Sequence, residues 1–313
     1  MKIKGLLIIF LISLVLLCTS CSKESESYDI VATIFPGYDF ARALSGDELN
    51  IKQLLPPGSE SHSYEVSARD IIAIQKCKIF ICVGGESEDW VDSILDSMDE
   101  KPRVIRMMDC VSVLDEEIKE GMDHDEHDHG DGKYDEHVWT SPKNAVLIVE
   151  NIRDAIAEEF PETADSVRTK AGDYIASINE LDASFEALFE RADDTCLIFG
   201  DRFPLRYFVE RYGIDYYAAF PGCSADSEVS ASTVAFLIDK VREEGIGAVY
   251  FIEFSNEKMA DVIVEDTGCK KLLFHSCHNV SAHELEAGVS YLSLMEQNLE
   301  SLKEGMADGD TDM

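Results

Sequence analysis

Lys78-Ile-Phe-Ile-Cys-Val-Gly-Gly-Glu-Ser-Glu-Asp-Trp-Val-Asp-Ser-Ile-Leu-Asp-Ser-Met98 decides the fold. An apolar run of strand length, Lys78–Val83, is closed by Gly84-Gly85. A helical pattern follows from Trp90 to Met98, and Val104–Met108 then reads as another short strand. A strand without polar alternation is buried on both faces, as in parallel sheets covered by helices. Upstream, Ile30–Pro36 and Asn50–Leu55 read as strands, with helices at Tyr38–Leu44 and Ala68–Gln75. Strand and helix therefore alternate through the first part of the chain, the mark of an α/β fold.

From Ser141 to Ala192 the strand signal stops. Ser141-Pro142 opens a helix with a serine cap and proline in its first turn. A second helical pattern runs unbroken from Ala164 to Arg191, and its length suits a spine between lobes. Alternation then resumes, with strands at Cys196–Phe199, Asp215–Ala219, Ala248–Ile252 and Lys271–Phe274. Helices fall between and after them at Pro204–Tyr212, Ser232–Glu243, Glu257–Thr267 and Ser290–Glu304. The expected architecture is two Rossmann-like (β/α) lobes with parallel-type sheets, joined by a long rigid linking helix. The lobes are expected at 29–160 and 194–304, the linking helix at 161–193 and a disordered tail at 305–313.

Lys2 and Lys4 precede an apolar run from Gly5 to Leu17, and Leu17-Cys-Thr-Ser-Cys21 ends it. This pattern reads as a signal peptide over residues 1–20, too short in its apolar part to span a bilayer as a helix. Cys21 is the expected lipidation site, followed by a polar tether over 21–28. The protein is therefore expected outside the bacterial cytoplasmic membrane, anchored to it by lipid. With 62 acidic against 27 basic residues, the chain carries a formal charge of −35. Phosphate backbones demand clustered Lys and Arg, so nucleic acid is excluded as a partner. Beyond Cys18 and Cys21, the remaining cysteines are scattered without a CxxC pair, which argues against a thiolate zinc site.

The histidines are not scattered. His124, His127, His129 and His137 fall in one acidic stretch, with the first three inside a His-rich loop over 122–133. His62 lies in the loop after the second strand, and His137 ends the loop after the fourth. Asp201 follows the strand Cys196–Phe199, and His275 follows Lys271–Phe274. Ligands of open α/β sheets bind beyond the carboxyl ends of the strands. Two candidate donors from each lobe thus emerge at that edge, and facing lobes would bring them to one metal ion. Imidazole with carboxylate suits zinc and its neighbours. Glu253 also ends a strand and competes with Asp201, which a helix-capping role or a pairing with Arg202 or Arg206 would equally explain. His278 competes with His275.

Pro57-Gly-Ser-Glu-Ser-His-Ser-Tyr-Glu65 and Asp135-Glu-His-Val-Trp-Thr-Ser-Pro142 carry a resemblance. Over essentially its whole mature length, the chain resembles the zinc- and manganese-binding lipoproteins that serve ABC importers. Their segments read Pro-Gly-x-x-x-His-x-Tyr-Glu and Asp-Pro-His-x-Trp-x-Ser-Pro, and zinc-specific members insert a His-rich loop before the second. The resemblance implies metal held between two lobes by His62 and His137. Asp201 stands near the third ligand place, with the spacing off by one, and His275 at the fourth. Glu136 stands where the family has proline, as do Val66 and Ala68.

The function expected is high-affinity zinc capture in an interlobe cleft and delivery to an ABC transporter permease, by a monomer. A manganese carrier or a metal-binding adhesin is the alternative. The His-rich loop would gather or sense zinc at lower affinity. No His-Glu-x-x-His helix is present and the candidate ligands are spread over two lobes, so a zinc hydrolase is not expected and the protein is read as no enzyme.

Overall fold

The computed structural model of the chain describes residues 27–60, 64–123, 133–191, 195–222 and 230–307. Its strands form two four-stranded sheets. The first contains β1 (Ile30–Ala32), β2 (Ile51–Gln53), β3 (Ile79–Cys82) and β4 (Arg103–Arg106) in the order β2-β1-β3-β4. The second contains β5 (Cys196–Phe203), β6 (Asp215–Pro221), β7 (Ala248–Phe251) and β8 (Lys270–Leu273) in the order β6-β5-β7-β8. All pairings in both sheets are parallel. The two sheets thus share one topology. In each, the chain runs outward from its first strand and then crosses to the other side, which opens a crevice at the strands' carboxyl ends.

Helices α1 (Phe35–Ser45), α2 (Ala68–Lys76), α3 (Trp90–Asp96) and α4 (Pro142–Glu159) belong with the first sheet. Helices α6 (Arg206–Tyr212), α7 (Ala231–Glu243), α8 (Lys258–Thr267), α9 (Ala282–Glu286) and α10 (Tyr291–Met306) follow the start of the second. Between the sheets in sequence runs α5, Ala164–Phe189, whose 26 residues span about 39 Å at 1.5 Å per residue. Its buried residues Val167, Ala171, Ile178, Leu181, Phe185 and Phe189 recur at helical spacing and form one apolar stripe. They join a single core cluster that also takes in Phe35, Trp139, Phe199, Phe274 and Tyr291. A buried carboxylate fastens three helices at this centre. Asp39 of α1 accepts the Tyr291 N–H of α10 at 2.7 Å and the Tyr174 hydroxyl of α5 at 3.4 Å, and it pairs with Arg42.

Three local differences from the sequence expectation have physical causes. β1 ends at Ala32, because Phe35-Pro36 starts α1 instead of extending the strand. Proline in a first helical turn forgoes an N–H that would lack a partner anyway. Gly37 in that turn is required by close approach, since a Cβ there would stand 2.8 Å from the Ile81 side chain. The helix α9 was not anticipated: it has five residues, too few for periodicity to reveal, and is set by a Ser281–Glu284 capping box. Most consequential is β5, which runs on to Phe203 through a register shift between Phe199 and Arg202. Asp201 therefore lies inside a bulged strand rather than in the loop beyond it.

Candidate metal centre

The segment before α4 carries His137, and helices and a turn that follow the second sheet's strands brace it. The Asp135 carboxylate accepts both the His137 backbone N–H at 2.8 Å and its ring Nδ1 at 3.1 Å. The neutral ring thus carries its proton on Nδ1 and presents the lone pair of Nε2, the tautomer a metal requires. Tyr207 of α6 donates its hydroxyl to the Asp135 carbonyl at 2.7 Å. Trp139 donates its indole N–H to the Ser276 carbonyl at 2.9 Å, and Tyr291 donates its hydroxyl to the Trp139 carbonyl at 2.9 Å. The next residue back is also anchored. Glu136 accepts from the Ser87 N–H at 2.9 Å and from the Ser87 hydroxyl, and it fills the space where a Gly85 side chain would be. His137 itself is 4% exposed. Burial works most strongly against its charged form, but Asp135, Glu136 and Glu116 together outweigh it and raise its pKa above the ordinary value.

The ring that meets His137 is His278, with centroids 5.9 Å apart and Trp139 packed against both. These two histidines line two adjoining cavities. One lies at the carboxyl ends of β1 and β3 and is bounded by Thr33, Val83, Glu88 and Tyr64. The other lies at the ends of β5 and β7 and is bounded by Glu60, Arg202, Glu253 and Asn279. The crevices of the two sheets therefore meet at the His137–His278 pair. His62 lies outside the described residues, as do Cys21, His124, His127 and His129. Its described neighbours on either side, Glu60 and Tyr64, border the second and the first cavity respectively. Among the described residues no group of three or more His, Cys, Asp and Glu side chains stands ready to hold a metal; what they supply is a histidine pair.

Two of the donors expected from sequence are engaged elsewhere. Asp201, 8% exposed, accepts the Arg202 N–H at 2.8 Å and the Ile252 N–H at 3.3 Å. It sits in the bulge that β5 makes against β6, where its carboxylate reaches the Ile252 N–H just past β7, and burial pushes its carboxyl pKa up. Neither cavity is lined by it. His275 is 2% exposed, and its Nδ1 accepts the Cys277 N–H at 2.9 Å. A neutral imidazole used in this way keeps its proton on Nε2, which has no protein partner, so no lone pair is left for a metal. Glu253, the alternative to Asp201, accepts the Ser276 N–H at 2.7 Å, the Ser276 hydroxyl at 2.5 Å and the His278 N–H at 3.2 Å. The amides of Ser276, Cys277 and His278 are thus all received by the side chains of Glu253 and His275. Together they hold Cys277 in the left-handed region, at φ 61°, and the turn so formed presents His278 to His137. His275 and His278 are equivalent candidates in the sequence His-Ser-Cys-His. Only the turn tells them apart.

A family model described as the periplasmic zinc-uptake complex component A, ZnuA, matches residues 30–305. The chain belongs to this family. The zinc-binding lipoprotein AdcA of Streptococcus pneumoniae is 30% identical over 307 residues, which cover 97% of this chain and 61% of that protein. The high-affinity zinc uptake system protein ZnuA of Bacillus subtilis is 28% identical over 294 residues, 92% of this chain and 90% of that one. The crystal structure of the Zn(II)-bound ZnuA-like domain of S. pneumoniae AdcA superposes with a TM-score of 0.74 at 28% identity. That match covers 90% of this chain and 99% of the domain. The chain therefore spans only about three fifths of the streptococcal lipoproteins, but nearly all of their ZnuA-like domain. The ZnuA fold of two α/β lobes is what the sheet order describes.

Proposed function

We propose that this ZnuA-family chain captures zinc between its two sheets and passes it to an ABC importer. His137 and His278 supply two imidazoles, and His62, carried by the loop bordered by Glu60 and Tyr64, supplies a third. Asp201, Glu253 and His275 are supports in this reading and not ligands. The observation that carries the proposal is the His137 ring: nearly fully buried, with Nδ1 bound to Asp135, and lining the two cavities that His278 shares. Neutral imidazoles favour zinc over manganese, which prefers oxygen donors. The relatives named for zinc binding and zinc uptake support the same choice.

The remaining parts of the reading follow from sequence. Residues 1–20 act as a signal peptide and Cys21 carries the lipid, so the protein works as a monomer on the outer side of the cytoplasmic membrane with a permease as its partner. The lobes are taken as 29–160 and 194–304 about a linker at 161–193, which is supported by one sheet on each side of α5. His124, His127 and His129 gather zinc at lower affinity. The reading assigns no catalysis.

The test is a zinc titration of metal-stripped residues 22–313 against a chelating indicator, with His137→Ala in parallel. One tight equivalent that the substitution removes is the expected result. Weak, multiple binding that the substitution leaves unchanged would confine metal binding to the His-rich loop and sink the proposal.

A further inference from the structure

The turn that presents His278 does not end there. Asn279, the next residue, is 2% exposed, and every hydrogen-bonding position of its carboxamide is used. Its Nδ2 donates to the Pro56 carbonyl at 2.8 Å and to the Ser59 carbonyl at 2.9 Å. Its Oδ1 accepts from Gln53 Nε2 at 2.9 Å and from the Val280 N–H at 2.9 Å. Gln53, Pro56 and Ser59 belong to β2 and the loop that leaves it, on the first sheet's side. Asn279 belongs to the second. Backbone bonds run alongside: Gly58 N–H to the Val280 carbonyl at 2.8 Å, and Phe35 N–H to the His278 carbonyl at 3.3 Å. Farther out, Arg202 of β5 pairs with Glu60 at 3.3 Å. The loop that leads to His62 is thus fastened to the residues around His278 by protein bonds alone.

We propose that Asn279 is a positioning residue that fixes the spacing between the metal donors of the two lobes, by tying the His62 loop to the His278 turn. This rests on the zinc-capture reading above. A carboxamide suits the task because it offers two donors to two carbonyls and accepts twice in return. A carboxylate of the same shape would face both carbonyls with oxygen, and alanine would remove both donated bonds and both accepted ones at once. Donor spacing fixed before the metal arrives lowers the ordering cost of binding. It also slows escape, because each imidazole stays near the ion when its bond breaks.

The experiment uses residues 22–313 as wild type, Asn279→Ala, His62→Ala and the double variant. Amide exchange of the metal-free protein is read first. Asn279→Ala is expected to speed exchange at Gly58, whose N–H is bonded across the gap, and to leave β3 unchanged. If Asn279→Ala does not fold, Asn279→Ser takes its place. Zinc affinity and dissociation rate are then measured by chelator competition. Loss of an outer support of a metal ligand weakens binding about 10- to 100-fold, and a loss of that size with faster release is expected. In the His62→Ala background the same substitution should change affinity less than about twofold, because its effect passes through the loop. Unchanged exchange at Gly58, or equal losses of affinity in both backgrounds, would overturn the proposal. Failure of wild type to bind zinc tightly would instead strike the zinc-capture reading, while the exchange result still decides whether the clamp exists.

Discussion

Glu253→Gln separates a supporting carboxylate from a metal ligand. The side chain receives the Ser276 N–H, the Ser276 hydroxyl and the His278 N–H, all on one carboxylate. Glutamine keeps the shape but turns one oxygen into an NH2 group, so either the Ser276 N–H faces a donor or the His278 N–H is left with the Ser276 hydroxyl as its acceptor. A buried N–H left without an acceptor costs about 1–3 kcal/mol, and the remaining bonds also lose their ionic partner. For a chain of this size each kcal/mol lowers the melting temperature by about 2–4 °C. The metal-free variant is therefore expected to melt several degrees lower. Its zinc affinity should fall roughly 10- to 100-fold, as for other outer supports of a ligand, because the turn holding His278 loosens. Thermal unfolding by circular dichroism gives the first quantity and chelator competition the second, with His278→Ala beside it. Unchanged stability together with a loss of affinity as large as that of His278→Ala would make Glu253 itself the ligand. That result would refute the account of the turn.

The same account separates other side chains. His278→Ala should remove tight zinc binding while leaving the metal-free melting temperature nearly unchanged. His275→Ala, which strips the Cys277 N–H of its acceptor, should reverse that order; both are read by the same two assays. Asp201→Asn should lower stability by about 1–3 kcal/mol through the bulge amides it receives, with zinc stoichiometry intact by competition titration. The pH dependence follows from His137, whose pKa the carboxylates of Asp135, Glu136 and Glu116 together raise despite burial. Zinc must displace that proton, so affinity should begin to fall at a pH above the ordinary histidine value of about 6.5. In metal-free protein the raised pKa contributes stability that is fully present below about pH 6.5. It fades as pH rises through the folded-state value, which melting curves across pH would follow.

Much of the fold was legible because parallel strands buried on both faces leave continuous apolar runs such as Ile79–Cys82. The linking helix was equally plain, since 26 residues without proline, interrupted by one glycine alone, leave no alternative element. The buried placement of His137 could be read from its setting between Asp135 and the capped start of α4. The supporting roles proposed for Asp201 and His275 could not. Asp201 reads as a loop residue because the apolar run Cys196–Phe199 ends before it, whereas the bulge carries β5 past it to Phe203. His275 and His278 are three residues apart, and their roles depend on which amides Glu253 and Nδ1 of His275 accept, a tertiary matter that spacing does not encode. The role of Asn279 was silent for the same reason, since its partners lie more than two hundred residues away.

The most direct test of the central claim is a crystal of the zinc-loaded protein with an anomalous difference map at the zinc edge. The account predicts one strong peak about 2.0–2.1 Å from Nε2 of His137 and from a ring nitrogen of His278, the usual zinc–imidazole distance. A peak bound to Asp201 or His275, or zinc found only at the His-rich loop, would contradict it.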